Sequence, residues 1–214
     1  MKRLGAAAAG GVVLYVAIDV ALVFLRPEFS VLHNAESDYG SAGRYAWLMD
    51  VDFLLRGALS LAAVAAVLAA APAATRRLRT GAALVCVWAV ASGLLAFFPD
   101  DPVGTKLHGV APHVHLVLAG IAFVGIAVGA RVSTRALHAD PAWRPVTGLL
   151  AALSWGAIVP VLLLGRSHLR PHSLGGLYEK AFLALELAWL LVAALWAQRL
   201  SQSPEPAYAP ARPA

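Results

Sequence analysis

The sequence predicts an all-α integral membrane protein, folded as a six-helix transmembrane bundle. Three observations carry this. Of 214 residues, 60% are hydrophobic and only 14% are charged, about half the charged fraction of a soluble domain. The mean hydropathy is +0.71. The apolar residues gather into six runs, at 5–25, 47–72, 81–98, 108–130, 146–165 and 176–197, and about 20 residues suffice to cross roughly 30 Å of hydrocarbon as a helix. The same composition excludes disorder for the body of the chain. A disulfide scaffold is excluded because Cys86 is the only cysteine. The net charge of +5 sits in short clusters between apolar runs, with no long basic face to neutralise phosphates, so no nucleic-acid partner is expected.

Each run reads as a helix because a segment in lipid must satisfy its own backbone hydrogen bonds; none alternates as a barrel strand would. The first follows Lys2 and Arg3 and resembles a signal peptide at its start. It is too long for one, Asp19 interrupts it, and Leu25-Arg26-Pro27 is a poor cleavage site, so a retained helix is expected. The second carries Asp50, Asp52 and Arg56 in its first half. The third follows the basic cluster Arg76, Arg77 and Arg79. The fourth opens on His108, His113 and His115, with Pro112 between them. The fifth follows Arg131, Arg135 and Arg144, and the sixth opens on Glu179 and Lys180 and contains Glu186. Residues 1–200 form a single six-span transmembrane domain, and 201–214 read as a disordered cytoplasmic tail rich in Pro and Ala.

The densest basic clusters, at Lys2-Arg3, Arg76 to Arg79, Arg131 to Arg144 and Arg199, fall on one side. That side is expected to be cytoplasmic. Both termini are then inside, three loops face outward, and the plasma membrane is the expected location.

Ionisable groups within a membrane are costly and count as functional candidates. Asp19 lies roughly 9 Å below the outer end of the first span at 1.5 Å per residue. Asp52, Arg56, the histidines of the fourth span, Glu179 and Glu186 are all read toward the same outer side. Asp52 and Arg56 are four residues apart, acid first, the favourable order for a helical pair; Arg56 is also a candidate partner for Asp19 or Glu186. His108 and His115 are seven apart and share a helical face. A polar cavity open to the outside, ringed by the first, second, fourth and sixth spans, accounts for this one-sidedness. Asp19, Asp52, Arg56 and Glu186 are its candidate catalytic residues. The competing reading is that these charges only neutralise one another and fix packing.

Asp100, Asp101, His108 and His115 are candidate metal ligands, because imidazole and carboxylate together suit a divalent ion such as zinc with one position left open to water. Such a centre would be hydrolytic. The competing reading makes these interfacial, hydrogen-bonding histidines; the spacing matches no His-Glu-x-x-His signature. A Gly-x-Ser-x-Gly elbow and a phosphate-binding glycine loop are both missing from the sequence.

Several short motifs stand at the outer ends of the spans: Leu25-Arg26-Pro27, Glu36-Ser37-Asp38-Tyr39-Gly40 ahead of Trp47-Leu48-Met49, Phe97-Phe98-Pro99-Asp100-Asp101-Pro102, Leu107-His108-Gly109 and Gly176-Leu177-Tyr178-Glu179-Lys180. In these the chain resembles the bacterial and archaeal membrane family called domain of unknown function 998, nearly to Leu200. The resemblance implies a compact multi-span helical protein and no particular activity.

Two classes of function follow. One is a membrane enzyme acting on a lipid or isoprenoid from the outer leaflet, by metal-dependent hydrolysis or by acid chemistry from a buried carboxylic acid, with Arg56 holding an anionic head group. The other is a non-catalytic accessory protein or small transporter using the buried Arg, Asp and Glu network. Membrane lipids are the expected partners in both; the sequence leaves the oligomeric state open.

Overall fold

The computed structural model describes residues 2–71, 74–102, 105–167 and 172–202. The expected disordered tail lies almost wholly beyond them, as do His168 and Arg170. Seven α-helices make six membrane spans: α1 (Lys2–Leu25), α2 (Ala46–Ala70), α3 (Arg76–Leu95), α4 (Ala111–Leu137), α5 (Arg144–Gly156), α6 (Ile158–Ser167) and α7 (Gly175–Leu200). There is no strand among the described residues. An even number of spans puts the start of α1 and the end of α7 at one end of the bundle; the opposite end is the distal end.

α1 lies at the edge of the bundle, on α2 and α7. It buries Ala8, Val12, Tyr15 and Leu22, and exposes Val13, Leu14, Val16, Val20 and Phe24 toward lipid. The buried set keeps helical spacing. On α2 the buried face carries Asp52, Arg56 and Ser60 at successive four-residue steps, so the polar groups of this span form one stripe turned into the protein.

α3 sits between α2 and α4. It begins at Arg76, ahead of the apolar run, because Thr75 caps it by accepting from the Leu78 N–H at 3.2 Å. α3 and α4 touch nearly backbone to backbone: a Cβ on Gly129 would stand 2.9 Å from the Gly81 carbonyl oxygen. α4 differs from expectation at both ends. It starts at Ala111, since Gly109 has φ +86° and Pro112 occupies the first turn. His108 therefore precedes the helix and does not share a helical face with His115. The helix then runs past Arg131 and Arg135 to Leu137.

The fifth span is two helices. Pro160 has no N–H to give the Gly156 carbonyl, and the chain breaks between Gly156 and Ile158. α5 packs on α4 and α7, and α6 packs on α7. Gly11 and Gly57 are close-packing points between helices, whereas a Cβ on Gly10 or Gly120 would meet nothing within 4 Å. The common core is built from Trp88, Ile126, Trp143, Phe182 and Trp189 with the small residues around them.

Candidate functional site

The connection from α1 to α2 folds back across the distal end of the bundle. Arg26 anchors it. Its Nη1 donates to the carbonyls of Tyr39 and Ser41, each at 2.8 Å, and its Nε to Glu28 at 2.7 Å. That hydrogen bond holds the exposed Glu28 carboxyl below its ordinary value. Burial pushes the Tyr39 phenol up, with the charges of Asp19, Asp38 and Glu28 adding to it. A short 3-10 turn, Ser37–Gly40, follows.

The same segment caps α7. The otherwise free N–H of Leu177 donates to the Leu32 carbonyl at 3.0 Å. Lys180 Nζ donates to the Asn34 carbonyl at 2.8 Å. The contact needs glycine at 176, where a Cβ would lie 2.1 Å from the Asn34 oxygen. These contacts carry Glu36 inward to 2% exposure.

Glu36 meets Arg56 there. Arg56 Nη1 donates to Glu36 Oε2 at 2.7 Å and to Tyr15 Oη at 3.1 Å. Tyr15 in turn donates to the other Glu36 oxygen. The guanidinium carbon stands 4.9 Å from the centre of the Trp88 ring and 5.1 Å from that of Phe53, a cation–π enclosure on two sides. Trp88 Nε1 donates to Ser60 Oγ, which donates to the Arg56 carbonyl. Asp19 and Asp52 complete the cluster: one oxygen from each of Asp19, Glu36 and Asp52 lies within 4.8 Å of the others.

Beside this cluster opens a cavity of about 350 Å³. Glu36, Ser37, Arg56, Asp100, His115 and Glu179 form its polar end, and Phe53, Leu95, Leu116, Ala119, Phe123 and Leu164 its apolar wall. Leu116 and Gly120 on α4 and Gly165 on α6 are exposed on the lipid side and also line it, so it opens sideways toward the bilayer. Gly120, with open space where its Cβ would be, belongs to this wall.

His115 is the best-positioned base in it. Its Nδ1 lies 2.7 Å from the Phe98 carbonyl. A carbonyl only accepts, so Nδ1 carries the proton and Nε2 is left with its lone pair. Nε2 is 3.8 Å from Asp100 Oδ2, and that oxygen accepts from Ser37 Oγ at 3.0 Å.

The model of a family described as "Protein of unknown function (DUF998)" matches residues 9–196. The chain belongs to the DUF998 family. No curated protein and no solved structure matches it. The motifs that this DUF998 chain carries at its distal end have physical work to do: Arg26 fastens the connecting segment, Glu36 meets Arg56, Asp100 meets His115, and Gly176 lets the segment onto α7.

Among the candidate catalytic residues, the fold of this DUF998 protein brings Asp19, Asp52 and Arg56 together. The expected hydrogen-bonded pairing of Arg56 with Asp52 is replaced by Glu36 and Tyr15, and both Asp52 oxygens lack a hydrogen-bond partner. Glu186 stands apart. Its cation is Arg131 on α4, because the face of α7 that bears Glu186 also bears Trp189, which bonds to Thr134 on α4 at 2.9 Å. Arg131, in the half of α4 away from the distal end, thus turns charge toward the interior of the bundle.

The candidate metal ligands separate into two pairs. Asp100 and His115 face each other inside the cavity. Asp101 accepts from the His108 backbone N–H at 2.6 Å in the exposed loop, with His108 Nδ1 3.7 Å from the same carboxylate. Glu36, Tyr15 and Ser37 were not singled out as site residues from sequence, and Glu179 was read only as one of the ionisable groups on the outer side. Glu36 stood in a quoted motif, and its signal was an acid in a short connection that an intramembrane arginine would need.

Proposed function

We propose that this protein binds an amphipathic lipid or isoprenoid through the lateral opening between α4 and α6, and that it is a membrane enzyme acting on the polar end of that molecule. The observation that carries the reading is the two-ended cavity: hydrocarbon wall toward the bilayer, His115 and Asp100 at the polar end. His115 Nε2 is the general base or acid, and Asp100 stabilises the imidazolium formed when it takes a proton. Arg56 lines the same end but is already paired with Glu36, and with Asp100 and Glu179 beside them this end suits an uncharged hydroxyl-bearing head group better than the anionic one expected from sequence. A zinc ion in this place would find His115 Nε2 and Asp100 Oδ2, and no third carboxylate or imidazole groups with them among the described residues. Acid–base work needs only the two residues already facing each other, and is the simpler reading. The distal end faces outward from the plasma membrane with both termini cytoplasmic, in keeping with the basic clusters at the other end.

A small transporter is the second reading, favoured by one observation: Arg131 lies in the half of α4 away from the distal end, with Glu186 of α7 in its field. The two readings separate on incubating the purified protein, in lipid nanodiscs, with a total membrane lipid extract. Turnover predicts that some lipid species is consumed by the wild type and spared by His115→Gln. Identical lipid profiles for both, with each protein folded, would contradict the enzyme and leave transport.

A further inference from the structure

The carboxylate cluster raises a separate problem. Asp19, Glu36 and Asp52 crowd within 4.8 Å, and Asp52 is fully buried with neither oxygen hydrogen-bonded. A buried carboxylate without a donor is among the costliest groups a membrane protein can hold. Three of the other acids near it have hydrogen-bond donors. Glu36 has Arg56 and Tyr15. Asp38 accepts from Ala35 N and Asn34 Nδ2, and Glu179 accepts from Glu36 N at 3.1 Å. Asp19 lies in the field of Arg56 and Lys180, as Asp52 lies in that of Arg56.

The charge count points the same way. The groups facing the cluster are Tyr15 from α1, Asp38 and Tyr39 from the connecting segment, Arg56 from α2, Glu179 and Lys180 from α7, and the neutral Trp88 from α3. Carboxylates therefore outnumber the cations Arg56 and Lys180. An added proton relieves part of this excess, and the orphaned oxygens of Asp52 are the place for it.

Access exists from two sides. Glu36 and Arg56 line the cavity described above. On the opposite side a groove of about 250 Å³ between α1 and α7 is lined by Tyr15, Asp19, Tyr39 and Lys180. The cluster is the partition between them.

We infer that Asp19, Glu36 and Asp52 form a proton-binding site, with one proton carried by Asp52 and shared with the neighbouring carboxylates. A proton fits better than a metal ion, because the Arg56 guanidinium already occupies the Glu36 side and would repel a divalent cation. The inference stands whether or not the cavity binds a lipid.

Infrared spectroscopy of the protein in lipid, at neutral pH, tests it. The C=O stretch of a protonated carboxylic acid lies apart from the carboxylate bands. The expected result is a protonated-acid band that moves when the protein is made with carbon-13 aspartate, shifts in D₂O, and disappears in Asp52→Asn. The isotope experiment uses the unaltered protein, so it decides even where that variant fails to fold; Asp19→Asn, expected to perturb the band without removing it, adds a second check. No aspartate-derived protonated band in the wild type would overturn the inference. So would a band abolished by sodium chloride at constant pH, which would make this a sodium site.

Discussion

Arg56 and Glu36 meet across 2.7 Å with both side chains 2% exposed, which joins the middle of a membrane span to a connecting segment outside it. Removing one partner of such a pair leaves a buried charge uncompensated, at a cost of about 3–5 kcal/mol. Glu36→Gln and Arg56→Met are each expected to lower thermal stability in detergent by that order. The double variant should recover most of the loss, because a neutral pair leaves no orphaned charge. Equal and additive losses in a thermal melt would contradict the pairing.

Gly176→Ala forces a methyl group into the Asn34 carbonyl. Overpacking of this kind costs about 1–3 kcal/mol, and here it acts on the docking of one segment. Hydrogen exchange should rise within residues 27–45 and at the first turn of α7 while α3 and α4 stay protected. Unchanged protection of that segment would mean that the close approach does not hold it.

The His115 ring is expected to carry its proton on Nδ1, given to Phe98. Nitrogen-15 NMR of a histidine-labelled sample distinguishes the two ring nitrogens directly. A proton on Nε2 would remove the acceptor from the cavity and with it the role assigned to this residue.

Orientation is checked by thiol labelling of intact cells in a Cys86→Ser background. Thr105→Cys, on an exposed distal residue, should react with an impermeant reagent, and Gln202→Cys should react only after the membrane is opened. Ser41, in the same distal connection, is unsuitable as a reporter, since it is buried and its hydroxyl donates to the Asp38 carbonyl at 2.7 Å. The reverse pattern would invert the topology.

The six spans were legible because each apolar run is long enough to cross a bilayer and little else can be done with such a run. Arg56 was legible as the centre of a charge cluster, since an intramembrane arginine demands partners. Its actual partners were not. Tyr15 is hidden in an apolar run, and Glu36 lies 20 residues away in a connection that reads as ordinary loop. Helical spacing finds neighbours on one helix, whereas these contacts depend on how α1, α2 and the segment between them pack. Glu186 went to Arg131 for the same reason: the rotation of α7 against α4 decides it. The start of α4 was readable in principle from Gly109 and Pro112, and the break at Pro160 likewise, but continuous hydrophobicity masked both.

The central claim is that the lateral cavity holds an amphiphile, and native mass spectrometry of the detergent-purified protein tests it most directly. A Gly120→Trp variant is the control, because Gly120 lines the cavity and has free space around it, so the indole fills the site without disturbing the helix contacts. The wild type should retain a lipid or isoprenoid adduct, and the variant, equally folded, should lose it. An adduct of the same mass and abundance on both proteins, or none on either after the lipid extract is added back, would contradict the claim.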